Sequence, residues 1–203
     1  MKRSALILTM FLTTLLTAAT AAAQSTPQAE KPKSPGDEMA MYEEMAKPVP
    51  EHARLTALAG KWKMSMKMWL DPTKEPMTWT GTSTITPILG GRFIEIDANV
   101  EGPMPMESLT VAGFDRRTNE YTLVGFDTMG TYWISAAGKW NDAQKAMTLH
   151  GSYLQPPANT NQSYRFVWTL ASSNEHRMTL YFAVPGAADV LVAETVYTRA
   201  GKS

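Results

Sequence analysis

From Gly60 to Arg199 the apolar residues recur at every second position, and turn-forming residues break the runs every eight to twelve positions. A spacing of two belongs to a half-buried strand, whose successive side chains point to opposite faces; a helix spaces them by three and four. The breaks are Asp71-Pro72, Gly90-Gly91, Gly102-Pro103, Arg116–Asn119, Thr128–Gly130, Asn141-Asp142, Gln155–Gln162, Ser172–Glu175 and Pro185–Asp189. These nine punctuations separate about ten strands. Short connections force neighbours to run antiparallel. The expectation is therefore an all-β chain: a roughly ten-stranded antiparallel up-and-down barrel or sandwich, with a short N-terminal helix.

The faces sort cleanly. In GKWKMSMKMWL, Trp62, Met64, Met66 and Met68 share a face opposite Lys61, Lys63, Ser65 and Lys67. In TPILGGRFIEID, Gly-Gly predicts a two-residue hairpin loop, because the turns that match strand twist need positive φ. That loop sets Leu89 against Arg92, Ile85 against Ile96 and Thr84 against Asp97. One face then holds Trp79, Gly81, Ser83, Ile85, Leu89, Ile94, Ile96, Ala98 and Val100; Glu95, Asp97 and Glu101 fall on the other. A one-residue slip would scramble this sorting. Later strands add Met147, Leu149 and Tyr153, then Tyr164, Phe166 and Trp168, then Met178, Leu180 and Phe182. Leu109–Ala112 and Tyr121–Asp127 alternate poorly, and their faces are not assignable.

The N-terminus reads as a signal peptide over residues 1–23: Lys2 and Arg3, an apolar run Ala5–Leu16 too short to span a bilayer, and Ala21-Ala22-Ala23 before Gln24. A retained anchor is disfavoured by the short, Thr-rich run. The chain has no cysteine, hence neither disulfides nor a lipidated N-terminal Cys. An exported protein, periplasmic or secreted, is expected, with no membrane segment after processing. Residues 24–50 read as a Pro/Lys/Glu-rich linker with a short helix over Gly36–Ala46, and 51–200 as the barrel domain. Without Lys2 and Arg3, 17 basic residues face 19 acidic ones, a net charge of −2. No basic stripe is present, which argues against a nucleic-acid partner.

Gly60-x-Trp62 on the first strand and Arg199 in ETVYTRA on the last resemble the calycins: lipocalins, fatty-acid-binding proteins and nitrobindins. That resemblance implies a barrel whose closed end is plugged by a first-strand Trp under a last-strand Arg. HARLTALAGKW, ILGGRFIEI, AGFDRRTNEYTLVGFDTMGTY and ETVYTR resemble the uncharacterised bacterial DUF1579 family over His52 to Arg199. The likeness implies a fold and no activity. Strand alternation places Trp62, Arg92 and Arg199 at one end, where a cation–π plug is expected and where Pro50–Leu58 can lie across as a short helix. The opposite end has longer loops carrying Met77, Met104, Met106 and Met129, and is the expected mouth.

No residue is nominated as catalytic, and neither metal nor cofactor is expected. His52, His150 and His176 read as surface residues, and LVAETVYTRA offers no inward His for nitrobindin-like haem binding. Ser-His-Asp, phosphate-loop and HExxH patterns are absent. The favoured function is non-enzymatic binding of a small apolar or amphipathic molecule. Its expected contacts are Met64, Met66, Met68, Trp79, Ile96, Met104, Tyr153, Phe166, Trp168 and Leu180, with Ser83, Tyr153, Tyr164 and Tyr197 as polar groups. Two alternatives remain: Cu(I) held by methionines, against which stands the nearly 7 Å between same-face residues of one strand, and a cell-envelope interaction protein with a filled barrel. The sequence leaves the oligomeric state open.

Overall fold

The computed structural model describes residues 34–155 and 159–201; the expected signal peptide, and residues 24–33 of the expected linker, lie outside the described residues. The chain divides into two units, Met1–Met39 and Ala40–Ser203. Of the first, the described part is Ser34 and the start of helix α1 (Pro35–Met45), a helix without buried residues. The second contains a further short helix, α2 (Pro50–Thr56), and ten strands: β1 (Gly60–Met68), β2 (Met77–Ile88), β3 (Phe93–Glu101), β4 (Met106–Asp115), β5 (Glu120–Asp127), β6 (Trp133–Asn141), β7 (Ala146–Gln155), β8 (Thr160–Thr169), β9 (Glu175–Phe182) and β10 (Val190–Arg199).

Each strand pairs antiparallel with the next in sequence, and β10 returns to β1, closing an up-and-down barrel. Closure removes the unpaired edges that an open sheet would expose. The expected hairpin register holds: Ile85 pairs with Ile96 and Thr84 with Asp97. The inner faces of β1, β2 and β3 are the expected ones, with Trp62, Met64, Met66, Trp79, Ile85, Ile94, Ile96, Ala98 and Val100 all buried.

The turn itself differs from the two-residue loop. The last pair is Ile88 with Phe93, and Leu89–Gly91 form a single 3₁₀ turn, so four residues make the connection. Positive φ extends over Leu89 (48°), Gly90 (67°) and Gly91 (79°). Two extra residues, one from each side of Gly-Gly, lengthen the loop without changing the register. Leu89 consequently leaves the inner face and is 69% exposed.

β4 and β5 escaped the alternation rule because their polarity is partly inverted. Ser108 and Thr110 face inward with Met106, while Leu109 stands 40% exposed outside. On β5, Tyr121 and Leu123 are buried, and apolar Val124 and Phe126 occupy the other face.

Candidate functional site

The closed end is assembled around Trp62. Its indole N–H donates to the Leu58 carbonyl at 2.9 Å, tying β1 to the segment after α2. Trp62 and Arg199 are cross-strand partners, and the Arg199 guanidinium lies 4.2 Å from the centroid of the Trp62 ring. The same guanidinium donates to the carbonyls of Ala59 (2.8 Å), Ser173 (2.7 Å) and Ala57 (3.3 Å). One fork thus joins the ends of β1 and β10, the β8–β9 loop and the helix approach.

Arg92 stands at this end but does not reach the indole. Its Nε donates to the Ala46 carbonyl at 2.8 Å and Nη1 to Leu89 at 3.2 Å. Arg116 donates to the carbonyls of Glu44 and Lys47. The last part of the stretch read as a linker is therefore fastened to the barrel by two arginines. Helix α2 packs on β3 and β4 and buries Leu55. Its Arg54 sits 4.2 Å over Trp140 and donates to the Tyr121 hydroxyl, contacts between residues too distant in sequence to be read from a local pattern.

Two histidines correct the surface expectation. His52 is buried in α2; its Nδ1 accepts the Val49 N–H at 3.1 Å and its ring meets Phe114 edge-on at 5.7 Å. His176 is 1% exposed and points inward from the start of β9. It packs edge-on against Trp62 at 4.5 Å and stacks on Tyr197 at 4.2 Å with ring planes 17° apart. The polar residues around His176 suggested a turn; closure of β9 onto β10 makes it core. His150 is exposed.

The indole N–H of Trp168 donates to His176 Nδ1 at 3.2 Å, which leaves the imidazole proton on Nε2. That Nε2 is buried without a partner among the described residues, as is Ser83 Oγ. Protonating Nδ1 would set two donors against each other. Burial, reinforced by the charge of Arg199, lowers the His176 pKa to about 3. Burial likewise pushes the Tyr197 hydroxyl up to about 12.

Above Tyr197 the barrel is hollow. An inner chamber of about 250 Å³ is lined by Met64, Met66, Met68, Ile96, Phe166 and Leu180, with Met106 and Met178 from other strands and Tyr197. An outer chamber of about 390 Å³ is lined by Met129, Tyr132, Tyr153, Tyr164 and Phe182. Both include Met68, Met106, Asp127, Ile134, Phe166 and Leu180 in their walls, so the two are continuous. The Tyr164 hydroxyl donates to the Ser135 carbonyl at 2.8 Å, and burial raises its pKa, as it does that of Tyr153.

The expected contacts divide accordingly. Met64, Met66, Met68, Ile96, Phe166 and Leu180 line the inner chamber and Tyr153 the outer one. Trp79, Met104 and Trp168 are absent from both walls. Trp79 is buried and donates to the Met104 carbonyl at 3.2 Å, Met104 is 48% exposed, and Trp168 is held by His176. Alternation identifies the face a residue is on, whereas its height along the barrel decides whether it meets the cavity.

At the mouth, β10 carries an irregularity between Leu191 and Ala193, and the intervening Val192 accepts the Trp69 N–H at 2.8 Å. A bulge of this kind re-aims a side chain at a barrel rim, and Val192 lines the outer chamber. Of the loop Gln155–Gln162, residues 156–158 lie outside the described residues.

A closed antiparallel ten-strand barrel with its first-strand Trp under its last-strand Arg is consistent with the calycin-like class. The chain belongs to the family described as "Protein of unknown function (DUF1579)", which matches residues 47–199. No curated protein matches it. A similar solved structure is the crystal structure of Rv2717c from M. tuberculosis, with a TM-score of 0.55 and 16% sequence identity, covering 76% of this chain and 100% of that one. That likeness concerns the fold alone.

Proposed function

We propose that this protein is an exported, non-enzymatic binding protein that holds a small apolar or amphipathic molecule inside its barrel. The observation that carries this reading is the continuous two-chamber cavity, with an inner part of about 250 Å³ walled largely by methionine and aliphatic side chains. An apolar cavity of about 150 Å³ already accepts benzene. Flexible, polarizable methionines suit a wall that adapts to its cargo. The hydroxyls of Ser108, Thr110, Thr195 and Tyr197 on that wall provide a few orienting polar groups. Export rests on the N-terminal pattern of Lys2, Arg3, Ala5–Leu16 and Ala21-Ala22-Ala23.

Titration with 1-anilinonaphthalene, a neutral apolar fluorophore, tests this reading. The expected result is saturable one-to-one binding with sub-millimolar affinity, accompanied by quenching of tryptophan emission. Absence of saturable binding by this probe, together with no small molecule released in native mass spectrometry of protein isolated from its source, overturns it.

A second reading has its own observation. Thioethers of Met64, Met66 and Met68 on β1, Met106 on β4 and Met178 on β9 line one chamber, a soft donor set for Cu(I). Competition for Cu(I) against a chromophoric chelator tests it. Met66→Leu would weaken copper binding while leaving the apolar probe bound.

A further inference from the structure

We infer that the cargo is an amphipathic cation: an apolar tail lies in the methionine chamber and an ammonium group rests at the mouth, against Asp127 and the faces of Tyr132 and Tyr153. This inference rests on the binding reading above and specifies its ligand.

Asp127, which ends β5, is the single acidic or basic side chain among the described residues lining either chamber, and it lines both. The wall contributes no cation to balance it. Asp127 Oδ1 accepts the Met129 N–H at 2.8 Å, which fixes the side chain at the rim while the carboxylate retains further acceptor capacity. In the same outer chamber Tyr132 and Tyr153 lie parallel, their planes 4° apart and centroids 6.4 Å apart, and Phe182 stands 6.1 Å from Tyr153. Aromatic faces attract organic cations through the ring quadrupole, and a neighbouring carboxylate adds a direct charge partner.

The surroundings share this polarity. Loops and strand ends around the mouth carry Asp71, Glu75, Glu101, Glu107, Asp127 and Asp189 against Lys74. Asp189 is paired with Arg165 at 2.6 Å and Asp71 with Lys74 at 3.6 Å, leaving a surplus of acid. Arg92, Arg116 and Arg199 are all spent at the closed end, each on backbone carbonyls. A mouth of negative sign concentrates cations and disfavours fatty-acid anions.

The test is displacement of bound 1-anilinonaphthalene by three ligands with one tail: octyltrimethylammonium, 1-octanol and octanoate. The cation is expected to bind at least ten-fold more tightly than octanoate, with octanol between them. Asp127→Asn keeps the Oδ1 acceptor for Met129 and removes the charge; it should reduce the cation-to-anion ratio to about three-fold or less and leave octanol affinity unchanged. Octanoate binding as well as the cation in the wild type, or a ratio unmoved by Asp127→Asn, overturns this inference while leaving the apolar binding reading intact. If neither octanol nor the fluorophore binds, the binding reading fails and takes this inference with it. Should Asp127→Asn weaken octanol too, Tyr132→Leu decides: a fall in cation affinity with octanol retained upholds the cation site, and an unchanged cation affinity overturns it.

Discussion

Acid should weaken this fold through His176, by an amount that follows from its surroundings. The ring is 1% exposed, accepts the Trp168 N–H on Nδ1 and sits between Trp62 and Tyr197. Burial, then the Arg199 charge, lowers its pKa from 6.5 to about 3. Because the folded value lies below the unfolded one, the stability tied to a neutral His176 is complete above pH 6.5. It is lost as pH falls toward 3, where the unfolded chain binds a proton that the folded chain refuses. With one pKa unit worth about 1.36 kcal/mol, the loss between pH 7.5 and pH 5 is about 2 kcal/mol, and the full window is worth on the order of 4 to 5 kcal/mol.

Urea unfolding at pH 7.5, 6 and 5 measures this in wild type and His176→Phe. Phenylalanine preserves the ring packing and cannot titrate. It leaves the Trp168 N–H without its acceptor, which costs about 1–3 kcal/mol at every pH. The variant should therefore start lower and lose about 2 kcal/mol less on acidification. Other titrating groups act in both proteins, so the difference isolates His176. Equal losses in the two proteins would refute the assignment, as would a wild-type loss under about 0.5 kcal/mol.

Arg199→Ala removes the charge over Trp62 and the donors to Ala57, Ala59 and Ser173; a loss of about 2 to 4 kcal/mol is expected in urea unfolding, with Arg199→Lys recovering less than half. Met66→Trp should abolish fluorophore binding by filling the inner chamber, whereas Met66→Leu should stay within about three-fold of wild type because volume and polarity are kept. Gly91→Val, at φ 79°, should cost more than about 2 kcal/mol in thermal or urea unfolding, since a β-branched residue resists that backbone.

The sequence by itself determined what depends on near neighbours along the chain. Period-two alternation of Trp62, Met64 and Met66 against Lys61, Lys63 and Ser65 specifies which side faces in, because the pleat has the same period everywhere. Gly-Gly specified the register of Ile85 with Ile96 although not the length of the turn. The turn is a local balance in which Leu89 also takes positive φ, while the register is held by the whole hydrophobic face. Tertiary structure decided the rest, because closure brings β9 and β10 against β1. Closure moves His176 into the core, turns Arg92 to Ala46 rather than to Trp62, and sets Trp168 below the cavity while Met66 lines it. It also leaves a hollow, since the volume enclosed by a ring of ten strands follows from their number and tilt, and no local stretch of sequence encodes whether the inward side chains fill it.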